Sequence, residues 1–200
     1  DFDVTIGQDT KILPFSIIQG NTVINENCVI GPYAHIINSK VSKNASISNA
    51  VVVEAEVGEH VSIGPYSYLR PGTVLAEHSK VGTFVEVKKS IVGKGSKVPH
   101  QAYIGDTILG EGVNIGAGTI TCNYDGYSKH PTSISDRVFV GSNANLVAPI
   151  KIGKEAYIAA GSTITKDVAE GALGIARGKQ KNIENWAKRQ MKKSEKSGSD

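Results

Sequence analysis

Large aliphatic residues recur along this chain at a spacing of six, interrupted by a few shorter steps. The series covers 26 positions between Ile6 and Ile164. Two residues before each of them stands Ala, Ser, Thr, Val or Cys in all cases but one, where Ile150 precedes Ile152. A period of six fits neither the 3.6 residues of a helical turn nor an uninterrupted alternation. The pattern therefore predicts short strands separated by corners.

Each six-residue unit is interpreted as a strand that points one large and one small side chain inward, because residues two apart share a face of a strand. A corner follows, often marked by glycine, as at Gly31, Gly64 or Gly116. Three units make one triangular coil of about 18 residues, and such coils stack as parallel strands. The sequence thus predicts an all-β protein, a parallel β-helix of hexapeptide repeats with eight to nine coils.

The repeat is interrupted between Ile115 and Ile134. The spacing implies one polar unit centred at Thr121 and then an ejected loop over residues 122–133. A loop ejected from a regular solenoid is a usual place for a binding function. We therefore predict a β-helical domain over residues 1–168 that carries this loop.

Residues 169–200 are predicted to form an exit segment and a basic tail. Within this tail, residues 181–193 have the spacing of a short amphipathic helix. Its apolar side would consist of Ile183, Trp186, Ala187 and Met191.

The charge of the chain is concentrated in this tail. The formal net charge is +3, with 22 Lys and Arg against 19 Asp and Glu. Residues 178–200 carry seven cations and three acids, so the remainder is close to neutral. A neutral body argues against nucleic acid as a partner.

The sequence argues against a membrane-spanning segment and against a disulfide framework. No window approaches the roughly 20 apolar residues of a membrane span. The two cysteines, Cys28 and Cys122, form no spaced ligand set, and two in 200 residues make no disulfide framework. Reduced cysteines favour a cytoplasmic location.

Register converts the repeat into predicted contacts. Arg70 and Lys88 are 18 residues apart with no break between them, so they are expected to stack at one corner. A phosphate clamp would use such a pair, with a fork from Arg and a point charge from Lys. The alternative is a solvated pair, or one neutralised by Glu86.

His100 follows Val98 by two residues, as Ala117 follows Ile115 on the next coil. The imidazole is therefore expected beside the backbone of the NIGAG segment. A general base next to amide donors is what acyl transfer requires. A plain surface histidine is the alternative interpretation.

Two other classes of function remain open from the residues alone. His60 and His78 are also 18 apart, which suggests a zinc-dependent enzyme of the carbonic anhydrase kind, but zinc catalysis needs three protein ligands and no third is visible. A β-helical scaffold without chemistry is compatible with the repeat.

Several sequence segments favour acyl transfer over the zinc enzyme and the scaffold. YLRPGTVL, VGTFVEVKKS, KGSKVPHQAYIGD, NIGAGTITCNYDG, VFVGSNANLVAPIKIG and IAAGSTITKDV resemble the acetyltransferase domain of the bifunctional N-acetylglucosamine-1-phosphate uridylyltransferase/glucosamine-1-phosphate acetyltransferases. The likeness extends from about the first coil to Trp186. It implies a left-handed β-helical homotrimer that acetylates the 2-amino group of glucosamine 1-phosphate with acetyl-CoA.

The same resemblance implies a role for individual residues. His100 would be the catalytic base. The sugar phosphate would be bound by Arg70, Lys88, Tyr103, Asn114 and Lys129. The acetyl-CoA surface would comprise Ala117, Asn123, Tyr124, Ser142, Ala160 and Arg177. No metal is expected in this domain.

The chain departs from the family pattern around the histidine, where Pro99 precedes it and Gln101 follows it. By register, Gln101 should point outward and Ala102 inward. The resemblance covers only the acetyltransferase domain, so uridylyl transfer is expected to lie outside this chain.

Overall fold

The computed structural model describes residues 1–197, with the surroundings of side chains described as far as Met191. In this part of the chain, short strands form three parallel sheets of nine, ten and nine strands. Successive strands take the three sheets in turn, so each strand pairs with the strand one coil later. The predicted all-β parallel β-helix is thus confirmed, with somewhat more coils than the eight to nine expected.

The three sheets are named here the first, second and third face, in the order in which the chain meets them. The first face contains Thr5–Ile6, Val23–Ile24, Lys40–Val41, Glu56–Val57, Val74–Leu75, Ile91–Val92, Thr107–Leu109, Thr132–Ile134 and Ile150–Ile152. The second face contains Lys11–Ile12, Val29–Ile30, Ser46–Ile47, Ser62–Ile63, Lys80–Thr83, Lys97–His100, Asn114–Ile115, Phe139–Val140, Tyr157–Ile158 and Leu173–Gly174. The third face contains Ile17–Gln19, His35–Ile37, Ala50–Val53, Ser67–Leu69, Glu86–Lys88, Tyr103–Gly105, Ile120–Cys122, Asn145–Val147 and Thr163–Ile164.

The core follows the predicted pairing of large and small residues. Ile115 and Val113, for example, both point inward and are at most 1% exposed. Small hydroxyl residues enter the core by bonding to the backbone, as Ser90 Oγ does with the Lys88 carbonyl at 2.8 Å. Removing this apolar surface from water is the main term that stabilises the solenoid.

One core position was predicted wrongly. The sequence interpretation placed Val53 inside, but Val52 is fully buried and pairs with Ile36 one coil earlier. The two shortened corners around this strand each remove one residue. A register slip of one reverses which side chains face the core.

The interruption of the repeat lies where it was predicted. Thr121 is fully buried in the strand Ile120–Cys122 and accepts a 2.8 Å hydrogen bond from the Gly105 amide. The chain then leaves the solenoid and returns at Thr132–Ile134.

The ends of the solenoid differ from its middle. Ile6 and Ile12 are 46% and 40% exposed, because no coil lies beneath them. At the other end, Leu173–Gly174 adds a strand to the second face, beyond residue 168 where the β-helix was predicted to end. The exit segment therefore adds one strand to the second face before the chain leaves the solenoid.

The predicted tail helix is present as Trp186–Ser197. It begins after Ile183, which therefore does not belong to the helix, and Trp186 and Met191 are more than half exposed. Residues 198–200 of the predicted basic tail lie outside the described residues. No helix within residues 1–197 is both long and apolar enough to span a membrane.

Truncating one inward side chain should test the register. Ile152 is 1% exposed, whereas its neighbour Lys151 is exposed on the same strand. We expect Ile152→Ala to lower the free energy of unfolding by about 2–5 kcal/mol, because a cavity remains in the core. Denaturant unfolding measures this change. Lys151→Ala is the matched control and should change stability little; equal effects would contradict the assignment of faces.

Candidate active site

Three predicted acetyl-CoA residues form a column at the corner between the second and third faces. The pairing of Asn114 with Phe139, and of Phe139 with Tyr157, places Ala117, Ser142 and Ala160 at equivalent positions of successive coils. The Asn143 amide donates to the Ala117 carbonyl at 2.7 Å, and the Gly161 amide to that of Ser142 at 2.8 Å. Consecutive coils therefore present small side chains and a regular backbone along one edge.

His100 lies at the start of this column, in the coil before Ala117. Its partner in the preceding coil is Thr83. The side chain is exposed and makes no hydrogen bond or ion pair with the residues that the structure describes. As predicted, Gln101 is exposed and Ala102 is buried.

The corner itself is shaped by the residue after each member of the column. Gln101 has a φ of 40°, and Asn143 has a φ of 56°. The left-handed region turns the chain sharply and is entered most readily by Gly and Asn. Gln101 fills this position without moving His100 off the column.

The stacked pair of cations is confirmed at the opposite edge of the third face. Leu69 pairs with Val87, which sets Arg70 directly before Lys88 in the stack. The Arg70 guanidinium donates to Glu86 Oε1 at 2.9 Å, and both side chains are about 40% exposed. This hydrogen bond raises the pKa of Arg70. Glu86 therefore moderates the charge, as the alternative interpretation expected, while the guanidinium remains accessible.

Lys88 differs from Arg70 because its side chain is only 8% exposed. Its ammonium donates to Asp106 Oδ2 at 3.1 Å. The ion pair with Asp106 raises the pKa of Lys88, against the effect of its burial. A buried ammonium needs such a partner to remain charged.

The ejected loop returns toward Arg70, Lys88 and Asp106, which are called the cation cluster here. Tyr124 and Lys129 form an antiparallel bridge across the loop, and the His130 amide donates to the Asn123 carbonyl at 2.8 Å. Lys129 lies beside Lys88, and this neighbouring cation lowers the pKa of Lys129. The loop therefore adds a third cation, next to Lys88 and one coil beyond Arg70.

Asp125 closes the tip of the loop. Its Oδ1 accepts the amides of Tyr127 and Ser128 at 2.8 and 2.7 Å, and its Oδ2 lies 2.6 Å from His130 Nε2. The Ser128 amide and the His130 side chain lower the pKa of Asp125 far below its usual value. The loop is therefore held by an ionised carboxylate at neutral pH.

Asn123 belongs to the cation cluster in this chain, although the family resemblance assigned it to acetyl-CoA. It is 6% exposed, and its amide donates to Asp106 Oδ2 at 2.5 Å and to Tyr103 Oη at 3.4 Å. The structure thus brings together Tyr103, Asn123 and Lys88. The burial of Asn123 results from the path of the loop.

The remaining predicted site residues lie outside the cation cluster. Arg177 donates to the Ala160 carbonyl at 2.8 Å and so joins the column of small residues. Tyr124 is 58% exposed, and its hydroxyl donates to the Gly126 carbonyl. Asn114 lies on the second face, beside Lys97 and away from the cation cluster.

The stacked histidines of the zinc hypothesis are also present. The rings of His60 and His78 lie 4.8 Å apart and nearly parallel. Asn44 lies 3.4 Å from His60 Nε2. No group of three or more His, Cys, Asp or Glu side chains suited to a metal is found among the described residues.

Sequence reasoning missed Asp106 as part of the site. The carboxylate lies one residue beyond the position that stacks on Lys88, which is Gly105. The spacing of five after Val87 was visible in the sequence, but the contact depends on the direction of a corner side chain.

Comparison with known proteins agrees with this architecture. Residues 3–38 and 131–166 match the family described as Bacterial transferase hexapeptide (six repeats), and residues 31–111 match the GlmU-like, C-terminal hexapeptide family. The Bifunctional protein GlmU of Heliobacterium modesticaldum is 56% identical over 95% of this chain. The chain spans 42% of the length of that relative.

Solved structures share the fold at lower identity. A UDP-N-acetylglucosamine acyltransferase from Bacteroides fragilis gives a TM-score of 0.63 at 17% identity, over 82% of this chain and 70% of its own. A mutant GDP-perosamine N-acetyl transferase from Caulobacter crescentus, in complex with CoA and GDP-perosamine, gives 0.53 at 22% identity, over 62% and 57%.

The family resemblance found in the sequence strings is thereby confirmed. Because the repeat, the three parallel sheets and the similarity to GlmU proteins agree over nearly the whole chain, this protein belongs to the bacterial hexapeptide transferases, in their GlmU-like group.

Proposed function

We propose that this chain transfers an acetyl group from acetyl-CoA to the 2-amino group of glucosamine 1-phosphate, giving N-acetylglucosamine 1-phosphate, a precursor for UDP-N-acetylglucosamine and cell-wall synthesis. The observation that carries this proposal is the arrangement of the third face. A cluster of three cations lies at one edge. At the other edge lies His100, which is unpaired within the described part of the chain, with a column of small residues.

The cation edge suits a sugar phosphate. Arg70 offers a planar fork and Lys88 a fixed ammonium, and Lys129 reaches them from the loop. A phosphate dianion would compete with Glu86 and Asp106 for these donors. Three convergent cations provide the charge-assisted hydrogen bonds that bind such an anion tightly.

The histidine edge suits acyl transfer. The amine of the sugar is protonated at neutral pH, and its nitrogen has no electron pair for attack until the proton is removed. His100, which has no hydrogen-bond partner among the described residues, accepts that proton. The nitrogen then attacks the thioester carbonyl, whose oxygen takes up the negative charge. As this oxyanion collapses, the C–S bond breaks, the nitrogen gives up its second proton, and the departing CoA thiolate takes up one proton to leave as the thiol.

The developing oxyanion needs a donor close to His100. The backbone amide of Ala117, one coil beyond, donates to no acceptor among the described residues. An unoccupied amide at this position would stabilise the tetrahedral intermediate. The small column from Ala117 to Ala160 would accommodate the extended pantetheine arm, with Arg177 at its end.

Assembly and location complete the proposal. The family resemblance implies a cytoplasmic homotrimer in which adjacent subunits complete each site. Tyr124 is 58% exposed on the loop, where it bridges to Lys129, so an adjacent subunit would have access to its ring beside the cation cluster.

A thiol-release assay with acetyl-CoA tests the function directly. We expect rapid release with glucosamine 1-phosphate and much slower release with glucosamine 6-phosphate, because the cations are fixed relative to His100. The mass in solution should correspond to three chains. The absence of release with any amino sugar would contradict the proposal and favour the scaffold hypothesis.

Truncating the cations should affect one substrate selectively. We expect Arg70→Ala and Lys88→Ala each to raise the KM for glucosamine 1-phosphate by roughly 10- to 100-fold, since a charge-assisted hydrogen bond contributes about 1.5–3 kcal/mol. The KM for acetyl-CoA should change much less. Steady-state kinetics with each substrate varied in turn measures both constants. Equal increases for both substrates would indicate general damage instead.

Removing the base should affect turnover. We expect His100→Ala to fold and to bind acetyl-CoA, yet to lose at least about 100-fold in kcat, as is typical for a positioned base. The acidic limb of the pH–rate profile should also flatten. His78→Ala, at a stacked histidine far from the third face, is the control and should retain turnover. Normal kcat and pH dependence in His100→Ala would place the base elsewhere.

A further inference from the structure

Asp106 occupies a rigid corner just after the third face. Its amide donates to the Lys88 carbonyl at 3.0 Å, and its own carbonyl accepts the Thr132 amide at 3.1 Å. The backbone of this residue is thus tied to the coil before it and to the strand that follows the loop. A φ of 49° directs its side chain outward from the corner, in a conformation that Asp tolerates better than most residues. The position of its carboxylate is therefore fixed by the solenoid.

One oxygen of this carboxylate joins two elements. Asp106 Oδ2 accepts from Lys88 Nζ at 3.1 Å and from Asn123 Nδ2 at 2.5 Å. Lys88 and Asn123 are both at least nine-tenths buried. Lys88 belongs to the third face and Asn123 to the loop, so the carboxylate links the solenoid to the loop.

Gly105 provides the space for this link. It stacks on Lys88, and a Cβ at this position would lie 2.5 Å from Tyr103 Oη and 2.6 Å from Asn123 Nδ2. Any larger residue would displace both side chains. The position above Lys88 is thus reserved for the two polar groups that surround the cation cluster.

We infer that Asp106 is a positioning residue for the proposed acetyl transfer, in which one carboxylate fixes the phosphate-binding Lys88 and the loop residue Asn123 relative to each other. This inference rests on the proposed function. It goes further because it couples the sugar-phosphate site to the conformation of the loop that carries Lys129.

The charge of Asp106 also has a predictable effect on Lys88. The groups that face Lys88 are Lys129, Tyr103 and Asp106, with Lys89 close to Lys129. Hydrogen bonds from Lys88 and Asn123 lower the pKa of Asp106, although burial acts in the opposite direction, so it is ionised at neutral pH. Without this charge, the buried Lys88 ammonium would lose its counter-ion. Its pKa would fall, and it would lose its proton at a lower pH.

Two substitutions separate position from charge. We expect Asp106→Ala to lower kcat/KM for glucosamine 1-phosphate at least tenfold, because Lys88 and Asn123 both lose their anchor. Asp106→Asn retains an oxygen that accepts both hydrogen bonds, so it should recover most of this loss near neutral pH. The alkaline limb of its kcat/KM profile should nevertheless move to lower pH. A purely structural role would not produce that shift.

A control variant and a double-mutant cycle test whether Asp106 and Asn123 act together. Glu155→Gln removes a carboxylate from the exposed inter-coil pair with Arg137, and it should leave kinetics and pH profile unchanged. The double variant Asp106→Ala, Asn123→Ala should lose little more than Asp106→Ala alone, because the two residues act as a unit. Additive losses, or an unshifted alkaline limb in Asp106→Asn, would overturn the inference.

Hydrogen exchange of the loop provides a readout that does not depend on the reaction. Amides of residues 123–130 should exchange faster in Asp106→Ala than in the parent or in Glu155→Gln. A parent protein that does not acetylate glucosamine 1-phosphate, combined with faster loop exchange, would refute the proposed function while retaining the positioning role. An unchanged loop in Asp106→Ala would refute the positioning role, whatever the activity of the parent.

Discussion

The stacking of successive coils in register is the constraint on which the other features of this protein depend. Every strand bonds in parallel to the strand one coil away, so a side chain's neighbours are set by its position in the repeat. Each coil buries one large and one small residue per strand, and no coil can cover its own apolar surfaces alone. Ile6 and Ile12, in the first coil of the described chain, are 46% and 40% exposed, whereas the inward residues of the middle coils are buried. Function is built by altering the outward residues without disturbing that stack.

The two edges of the third face show how a rigid stack positions chemistry. At one edge, register brings Arg70 and Lys88 together. The repulsion between these two cations is offset by the carboxylates of Glu86 and Asp106. At the other edge, register brings His100 to the first of three small residues. Backbone pairing fixes the position at which each of these side chains leaves the stack, so the spacing between the edges is set by register. In the proposed acetyl transfer, such preorganisation would reduce the entropy lost when substrates bind.

The loop introduces the part of the site that the stack cannot provide. Its backbone bridge and the Asp125 carboxylate fold it on itself, and its inner residues return to the cation cluster. Thr121, buried in the core position before the loop, keeps the coil closed at the point of departure and bonds the Gly105 amide beneath the cluster. The insertion therefore costs the solenoid little, while it gives buried environments to Lys88 and Asn123.

Residue spacing was enough to predict the repeat, the parallel coils, the point at which the loop leaves the solenoid and the stacking of Arg70 on Lys88, because hydrogen-bonded register propagates along a solenoid. Register also predicted the position of His100 before Ala117. Register gave the wrong core residue at Val53. Two residues are missing from the two corners around this strand, and spacing alone does not say how many each corner lacks; burial shows that each lacks one. Only the tertiary structure placed Asn123 on Asp106, and Lys129 beside Lys88, because the path of an irregular loop and the direction of a corner side chain follow from packing against other coils and have no period in the sequence.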